Sequence, residues 1–275
     1  MPTFSASDGC NLFFTDEGEG LPILCLSGLT RNHQDFDHVT PHLVAKGARV
    51  IRMDYRGRGN SDWPGPETYT VPKEAQDALE LLDHLGLERA AVLGTSRGGL
   101  IAMGLGATAK GRLLGVALND IGPDISDEGL EDIKGYLGRK PSAKTFDAFL
   151  PLRAKAVPGF ANVPEERWRH DLLANFEETE DGLAIRYDAR LRDAVLASDV
   201  TLNPDLWPFF DALDGLPLAL IRGANSNLLA EETAAQMRAR RPDMIFANVP
   251  DRGHVPFLDE PEALSALTLW LEKMQ

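Results

Sequence analysis

Residues 94–98 read Gly-Thr-Ser-Arg-Gly, entered through the apolar run RAAVL and left through the small-residue run GLIAMGLG. A strand that turns into a helix at a single residue strains that residue and lifts its side chain clear of the backbone. Residues two places away on either side must then lack bulk, which Gly94 and Gly98 do. Ser96 is therefore a candidate nucleophile, and the competing reading is a glycine-rich turn with an idle hydroxyl. The same turn sets the N–H of Arg97 at a helix N-terminus, where partial positive charge stabilises an oxyanion.

A serine hydroxyl attacks poorly without a base. The chain has six histidines, at positions 33, 38, 42, 84, 170 and 254. Only His254, in NVPDRGHVPFLDEP, follows a late strand pattern, where a loop can carry it back over the serine. His84 reads as a surface residue, His170 lies in a basic helix, and His33 is kept as a possible pocket residue.

These residues need a scaffold. PILCLSG, ARVIRMDYRGRG, RAAVLGT, LLGVALND, LPLALIRG and MIFANVPD are short apolar runs, several of them ending in glycine. Helical spacing separates them, as in 74–86 (EAQDALELLDHLG) and AEETAAQMRARR. Apolar strands alternating with helices predict an α/β fold with a mostly parallel sheet covered by helices on both faces. From about Ile121 to Phe209 the alternation stops and helical patterns take over: DEGLEDIKGYLG, AKTFDAFLPLRAKA and PEERWRHDLLANF, then an extended turn TEDGLAIRYDARL. We expect a core of residues 1–121 and 210–275, interrupted by a helical cap over 122–209. Loops at strand ends are where such folds place ligands, so the cap reads as a lid.

The whole pattern resembles the α/β-hydrolase fold family over nearly the full chain. LSGLTRNHQDF is similar to the loop after an early strand that supplies an oxyanion donor. Its usual His-Gly is Ser27-Gly28 here, and the donor implied is the N–H of Leu29. DYRGRGNSDWP, GTSRGG and RGHVPFLDEPEAL match further family loops, in order. Relatives with an aspartate at the turn are epoxide hydrolases or dehalogenases, so Ser96 implies acyl transfer to water instead. The resemblance implies a cofactor-independent esterase or lactonase working through an acyl-enzyme at Ser96. The alternatives are carbon–carbon bond hydrolysis of a dienone-type substrate, or a ligand-binding protein with weakened catalysis.

The third triad member has two candidate positions. The family commonly places an aspartate after the strand that reads LPLALIRG here, but this loop is GANSNLLAEE, with Asn227 at the position and Ser226 before it. The family's second location follows the strand after the nucleophile helix, where ALNDIGPD holds Asp120, with Asp124 as a weaker choice. Asp120 is preferred, and Asn227 stays open. An amide orients an imidazole but supplies no charge to its cation.

Arg97 is expected in a structural pair, with Asp54 or Asp120, and Arg56 likewise in a structural role. Trp63, Trp168, Trp207, Phe209 and Phe210 are candidates for an apolar pocket, and Tyr187 and Arg190 for cap packing. A formal net charge of −14 argues against nucleic acid or an anionic membrane as partner and leaves a small-molecule substrate. No run approaches the roughly 20 apolar residues of a membrane span. GTSRGG lacks the lysine of a phosphate loop, and no His/Cys/Asp set has metal-ligand spacing. Cys10 and Cys25 make no scaffold and read as reduced thiols in a cytoplasmic protein.

Overall fold

The parallel strands expected from the apolar runs all form, and they bring the loops named above to one edge of one sheet. A computed structural model describes residues 2–199 and 205–275; Met1 of the expected core and residues 200–204 of the expected insertion lie outside them. In chain order the first half runs β1 (Thr3–Ser5), β2 (Asn11–Glu17), β3 (Leu21–Leu26), α1 (Thr40–Ala45), β4 (Ala48–Met53), α2 (Val71–His84), β5 (Ala90–Thr95), α3 (Arg97–Thr108) and β6 (Leu113–Asn119). The inserted region follows, with α4 (Asp127–Tyr136), α5 (Phe146–Ala156), α6 (Glu165–Asn175), β7 (Phe176–Thr179), β8 (Gly182–Ile185) and α7 (Leu191–Asp199). The chain then returns through α8 (Trp207–Asp211), β9 (Leu218–Gly223), α9 (Glu231–Arg240), β10 (Ile245–Val249) and α10 (Pro261–Glu272).

Among the described residues the large sheet has the order β1-β2-β4-β3-β5-β6-β9-β10. β1–β2 and β2–β4 pair antiparallel, and every other neighbouring pair is parallel. All six residues of β5 are buried, which is why it reads as an unbroken apolar run: a parallel strand covered on both faces has no wet side to show. Leu24, Leu26, Val92 and Leu118 pack on one face against α2 and α3, where Ala78, Leu81 and Ile101 are buried. Ile23, Leu93, Ala117 and Ile221 pack on the other against Leu43 of α1 and Leu267 and Trp270 of α10. The parallel strands point one way, so the loops after β3, β4, β5, β6, β9 and β10 share one edge.

The insertion has a small core of its own, Leu150, Trp168 and Leu172, packed against Phe160 and against Phe257 of the loop after β10. Its expected extended turn is in fact a hairpin, β7–β8, with Glu177 opposite Ala184. Just beyond the hairpin, residues 186–188 lie along the loop after β4: Gly59 N donates to Arg186 O at 2.9 Å and Asp188 N to Gly57 O at 2.8 Å. The insertion is thus stapled to the core by backbone hydrogen bonds. Among the described residues no helix is long and apolar enough to cross a membrane.

Candidate active site

Ser96 is the single residue between β5 and α3, with φ 50° and ψ −111°, a backbone conformation that a non-glycine residue adopts only under strain. The two glycines make the turn possible. A Cβ on Gly94 would collide with the Gly98 carbonyl, and a Cβ on Gly98 with the Leu26 carbonyl. Backbone bonds hold the turn on both sides: Ser96 N donates to Asn119 O at 3.0 Å and Gly98 N to Ser27 O at 3.1 Å.

His254 reaches this turn from the loop after β10. Its Nε2 lies 3.0 Å from Ser96 Oγ and its Nδ1 lies 2.8 Å from Asp120 Oδ2. A carboxylate can only accept, so Nδ1 carries the proton and Nε2 is left to take one from the serine. Asp120 follows β6 directly, at φ 54°, and is fully buried. Its other oxygen, Oδ1, accepts the N–H of Gly223 at 2.8 Å, while Oδ2 also accepts the Ser226 hydroxyl at 2.6 Å. Asn119 donates its side-chain amide to Pro256 O at 3.1 Å, which ties the histidine loop to the end of β6.

Asn227 is not part of this arrangement. Its Nδ2 donates to Asp132 of α4 at 2.6 Å, so the side chain faces the insertion. Asp124 lies 3.5 Å from the Thr233 hydroxyl of α9 and does not meet His254. The residue of the GANSNLLAEE loop that joins the cluster is Ser226, through the acid. Sequence reasoning noticed Ser226 only as a non-acidic neighbour.

Beside Ser96 two amides stand unused. Among the described residues neither Leu29 N nor Arg97 N makes a hydrogen bond. A Cβ on Gly28 would stand 4.0 Å from Ser96 Cβ, so the loop carrying Leu29 passes alongside the serine. Arg58, fully buried, donates its Nε to Leu29 O at 2.9 Å and its Nη1 to Glu74 Oε1 at 2.8 Å. The other oxygen of Glu74 receives Arg97 Nε at 2.6 Å, and Arg97 Nη2 donates to Tyr69 O at 2.9 Å. This corrects the expected partners of Arg97: the acid is Glu74, because Asp54 is occupied by His33 and Asn60 and Asp120 by His254. The sequence carried a signal for Glu74. It falls on the same helical stripe as the buried Ala78, Leu81 and Leu82, and a charge on an apolar stripe needs a buried partner.

The remaining candidates sit apart. His33 pairs with buried Asp54 at 2.9 Å and packs on Phe13. Arg56 is structural, joined to Asp77 and Asp8. Trp168 belongs to the small core of the insertion, Phe210 to the main core, Trp63 and Phe209 are exposed, and Trp207 lies under Arg240. The hydroxyl of Tyr187 accepts the N–H of Gly138, and Arg190 pairs with Asp188, both within the insertion. Among the described residues no group of His, Cys, Asp and Glu is arranged to hold a metal.

A mostly parallel sheet with helices on both faces, an inserted helical region, and a serine on a strained strand-to-helix turn define the α/β-hydrolase architecture. Residues 23–267 match the family model described as the alpha/beta hydrolase family. The chain is 34% identical over 256 residues to the 3-hydroxybutyrate-oligomer hydrolase of Cupriavidus necator, covering 88% of this chain and 85% of that one. A non-heme haloperoxidase of Rhodococcus erythropolis is 36% identical over 217 residues, covering 73% of this chain and 78% of that one. A crystal structure of an alpha/beta hydrolase from Novosphingobium aromaticivorans superposes with a TM-score of 0.92 at 35% identity, covering 99% of this chain and 97% of that one. The chain belongs to the α/β-hydrolase family.

Proposed function

We propose that the protein is a serine hydrolase of small carboxylic esters or lactones, with Ser96 as nucleophile, His254 as base and Asp120 as the acid that orients it. The observation that carries this reading is the continuous line Ser96 Oγ, His254 Nε2, His254 Nδ1, Asp120 Oδ2, with steps of 3.0 and 2.8 Å. His254 takes the Ser96 proton as Oγ attacks the ester carbonyl, and the imidazolium is stabilised by Asp120. The oxyanion is held by the N–H groups of Leu29 and Arg97. His254 then protonates the departing alkoxide, and a water deprotonated by His254 releases the acid from Ser96. Residues 122–209 act as the cap over this chemistry. Similarity to a 3-hydroxybutyrate-oligomer hydrolase supports ester cleavage over carbon–carbon cleavage. A small-molecule substrate and a reducing, cytoplasmic setting belong to the same proposal, and the latter fits two buried, unpaired cysteines, Cys10 and Cys25.

The test is hydrolysis of p-nitrophenyl acetate and butyrate, with a fluorophosphonate as covalent probe. Turnover and labelling are expected in the wild type, with kcat at least about 10³-fold lower in Ser96→Ala. Labelling of the wild type at any residue other than Ser96, or turnover that survives Ser96→Ala, overturns the assignment.

A further inference from the structure

Beyond the oxyanion loop the insertion closes on the core through a charged cluster that the chemistry above leaves unused. The Cβ position of Gly28 lies 3.1 Å from Arg31 Cγ as well as 4.0 Å from Ser96 Cβ, so the Arg31 stem stands beside the serine. The Arg31 guanidinium then runs up to the insertion, with Nη2 2.6 Å from Asp171 of α6. Asp35 holds its other edge, with Nε donating at 2.8 Å. The second oxygen of Asp171 receives Arg153 Nε, from α5, at 3.2 Å. Tyr136, at the end of α4, is half exposed, and its hydroxyl is near enough to Thr30, Arg153 and Arg31 for each to pull its titration down, although burial outweighs them and raises it. A half-exposed ring with the oxyanion loop and both arginines close by borders an opening between α4, α5 and the loop after β3, which we take as the cleft.

The distribution of donors in this cluster is uneven. Arg31 is engaged by two carboxylates. Arg153 shares one of them through a single N–H, and among the described residues its Nη1 and Nη2 make no hydrogen bond. Its side chain is 30% exposed, so the head is open to a ligand. Guanidinium N–H groups on one face of a cleft match a planar carboxylate better than they match a neutral group. This lies in a chain of net charge −14, whose average field repels anions and gives a local cation more value for selecting one.

We propose that the free Nη groups of Arg153, with the Tyr136 hydroxyl beside them, form a carboxylate subsite, so that the preferred substrate is an ester carrying an anionic end. The proposal rests on the hydrolase reading for the word substrate, but the subsite itself can be measured without turnover. The anion reaches the cleft past Arg31, its carboxylate rests on Arg153, and its ester lies toward Ser96. Asp171 fixes the direction of both arginines and makes no contact with the ligand.

The experiment titrates monomethyl glutarate and its neutral counterpart, dimethyl glutarate, into the Ser96→Ala protein by calorimetry. The half-ester is expected to bind at least about tenfold more tightly than the diester, as one added charge-assisted hydrogen-bonded contact implies. In Ser96→Ala/Arg153→Gln, which keeps the length of the side chain and removes its charge, that preference is expected to fall below about threefold. Arg153→Lys is expected to restore part of it. Arg169→Ala, on the same helix as Asp171, removes an outward cation paired with Asp147 of α5 and is expected to keep the full preference. Equal binding of the two esters, absence of half-ester binding, or a preference that survives Arg153→Gln overturns the subsite. Cleavage of the same two esters by the protein with Ser96 intact reports on the hydrolase reading separately. Its absence there sinks that reading and leaves the binding result standing.

Discussion

The Ser226 hydroxyl lies 2.6 Å from Asp120 Oδ2, the same oxygen that meets His254 Nδ1 at 2.8 Å. Ser226 Oγ already accepts the N–H groups of Leu228 and Leu229, at 3.2 and 3.1 Å, so its own proton is directed at the carboxylate. The loop that lacks an acid therefore still serves one. Ser226→Ala removes a hydrogen bond to a buried carboxylate and also frees two backbone donors. With hydrogen bonds to charged groups contributing about 1.5–3 kcal/mol, kcat on a p-nitrophenyl ester is expected to fall by about tenfold to a hundredfold. Steady-state kinetics at fixed pH checks this, and an unchanged kcat shows that Gly223 N–H alone holds Asp120.

Asn227→Asp tests the other candidate position. Its side chain meets Asp132 at 2.6 Å, so a carboxylate there faces a carboxylate and loses a donor. Activity is expected to stay within about twofold of wild type, while stability drops by about 1 kcal/mol and Tm by about 2–4 °C. Thermal unfolding followed by circular dichroism, alongside ester kinetics, decides it. A gain of tenfold or more in kcat contradicts the role assigned to Asp120.

Glu74 is the common anchor of the two residues that carry the unused amides, Leu29 through Arg58 and Arg97 directly. Glu74→Gln leaves two largely buried guanidinium groups without a counter-charge. Breaking a buried pair in this way costs about 3–5 kcal/mol of stability. On the proposed role of these amides in holding the oxyanion, their displacement acts on the transition state, so kcat is expected to fall at least about tenfold with KM nearly unchanged. A variant that loses stability but keeps kcat assigns Glu74 to packing alone.

Asp188 joins the insertion to the core through Tyr69, whose hydroxyl donates to it at 2.7 Å, and pairs with Arg190. Burial raises the Asp188 carboxyl, but the hydrogen bonds from Arg190 and Tyr69 outweigh burial and hold it below the usual aspartate range. A folded-state value below the unfolded one stabilises the protein above the ordinary range near 4, and that stabilisation is lost as pH falls through the folded value. Asp188→Asn is therefore expected to cost about 1–2 kcal/mol at neutral pH and progressively less below about pH 4. Urea unfolding of both proteins at pH 7 and at about pH 3 measures the difference. A gap that widens on acidification reverses the sign of this linkage.

Much of the frame was readable before any coordinates. The buried strands announce themselves because a parallel strand covered on both faces is apolar throughout, as β5 is. The interruption between β6 and β9 is visible because the strand rhythm stops. The turn at Ser96 is visible because its sterics demand glycine at 94 and 98. The hairpin β7–β8 is harder to see: each strand has only four residues, β7 (FEET) is mostly exposed, and β8 (GLAI) is an apolar run too short to tell a strand from a helical segment. The pairing of Arg97 with Glu74, in place of the expected Asp54 or Asp120, is not legible in the sequence because all three are acids and residue type does not choose among them. Which of them is left free by other partners is a property of the packed loops.

The residue types and local periodicities of this chain determine a parallel α/β sheet, a strained serine turn and a histidine loop late in the chain. Those properties depend on neighbours within a few positions, where backbone sterics and apolar spacing decide the outcome. The tertiary structure alone decides how residues far apart in sequence meet. Asp120 rather than Asn227 reaches His254 because positive φ at the end of β6 turns its carboxylate under the histidine loop, while Asn227 is drawn to Asp132 on the insertion. Arg31, Asp171 and Arg153 converge because the insertion folds back over the loop after β3. Each contact depends on the direction of a side chain across a fold, and a linear spacing carries no record of that direction.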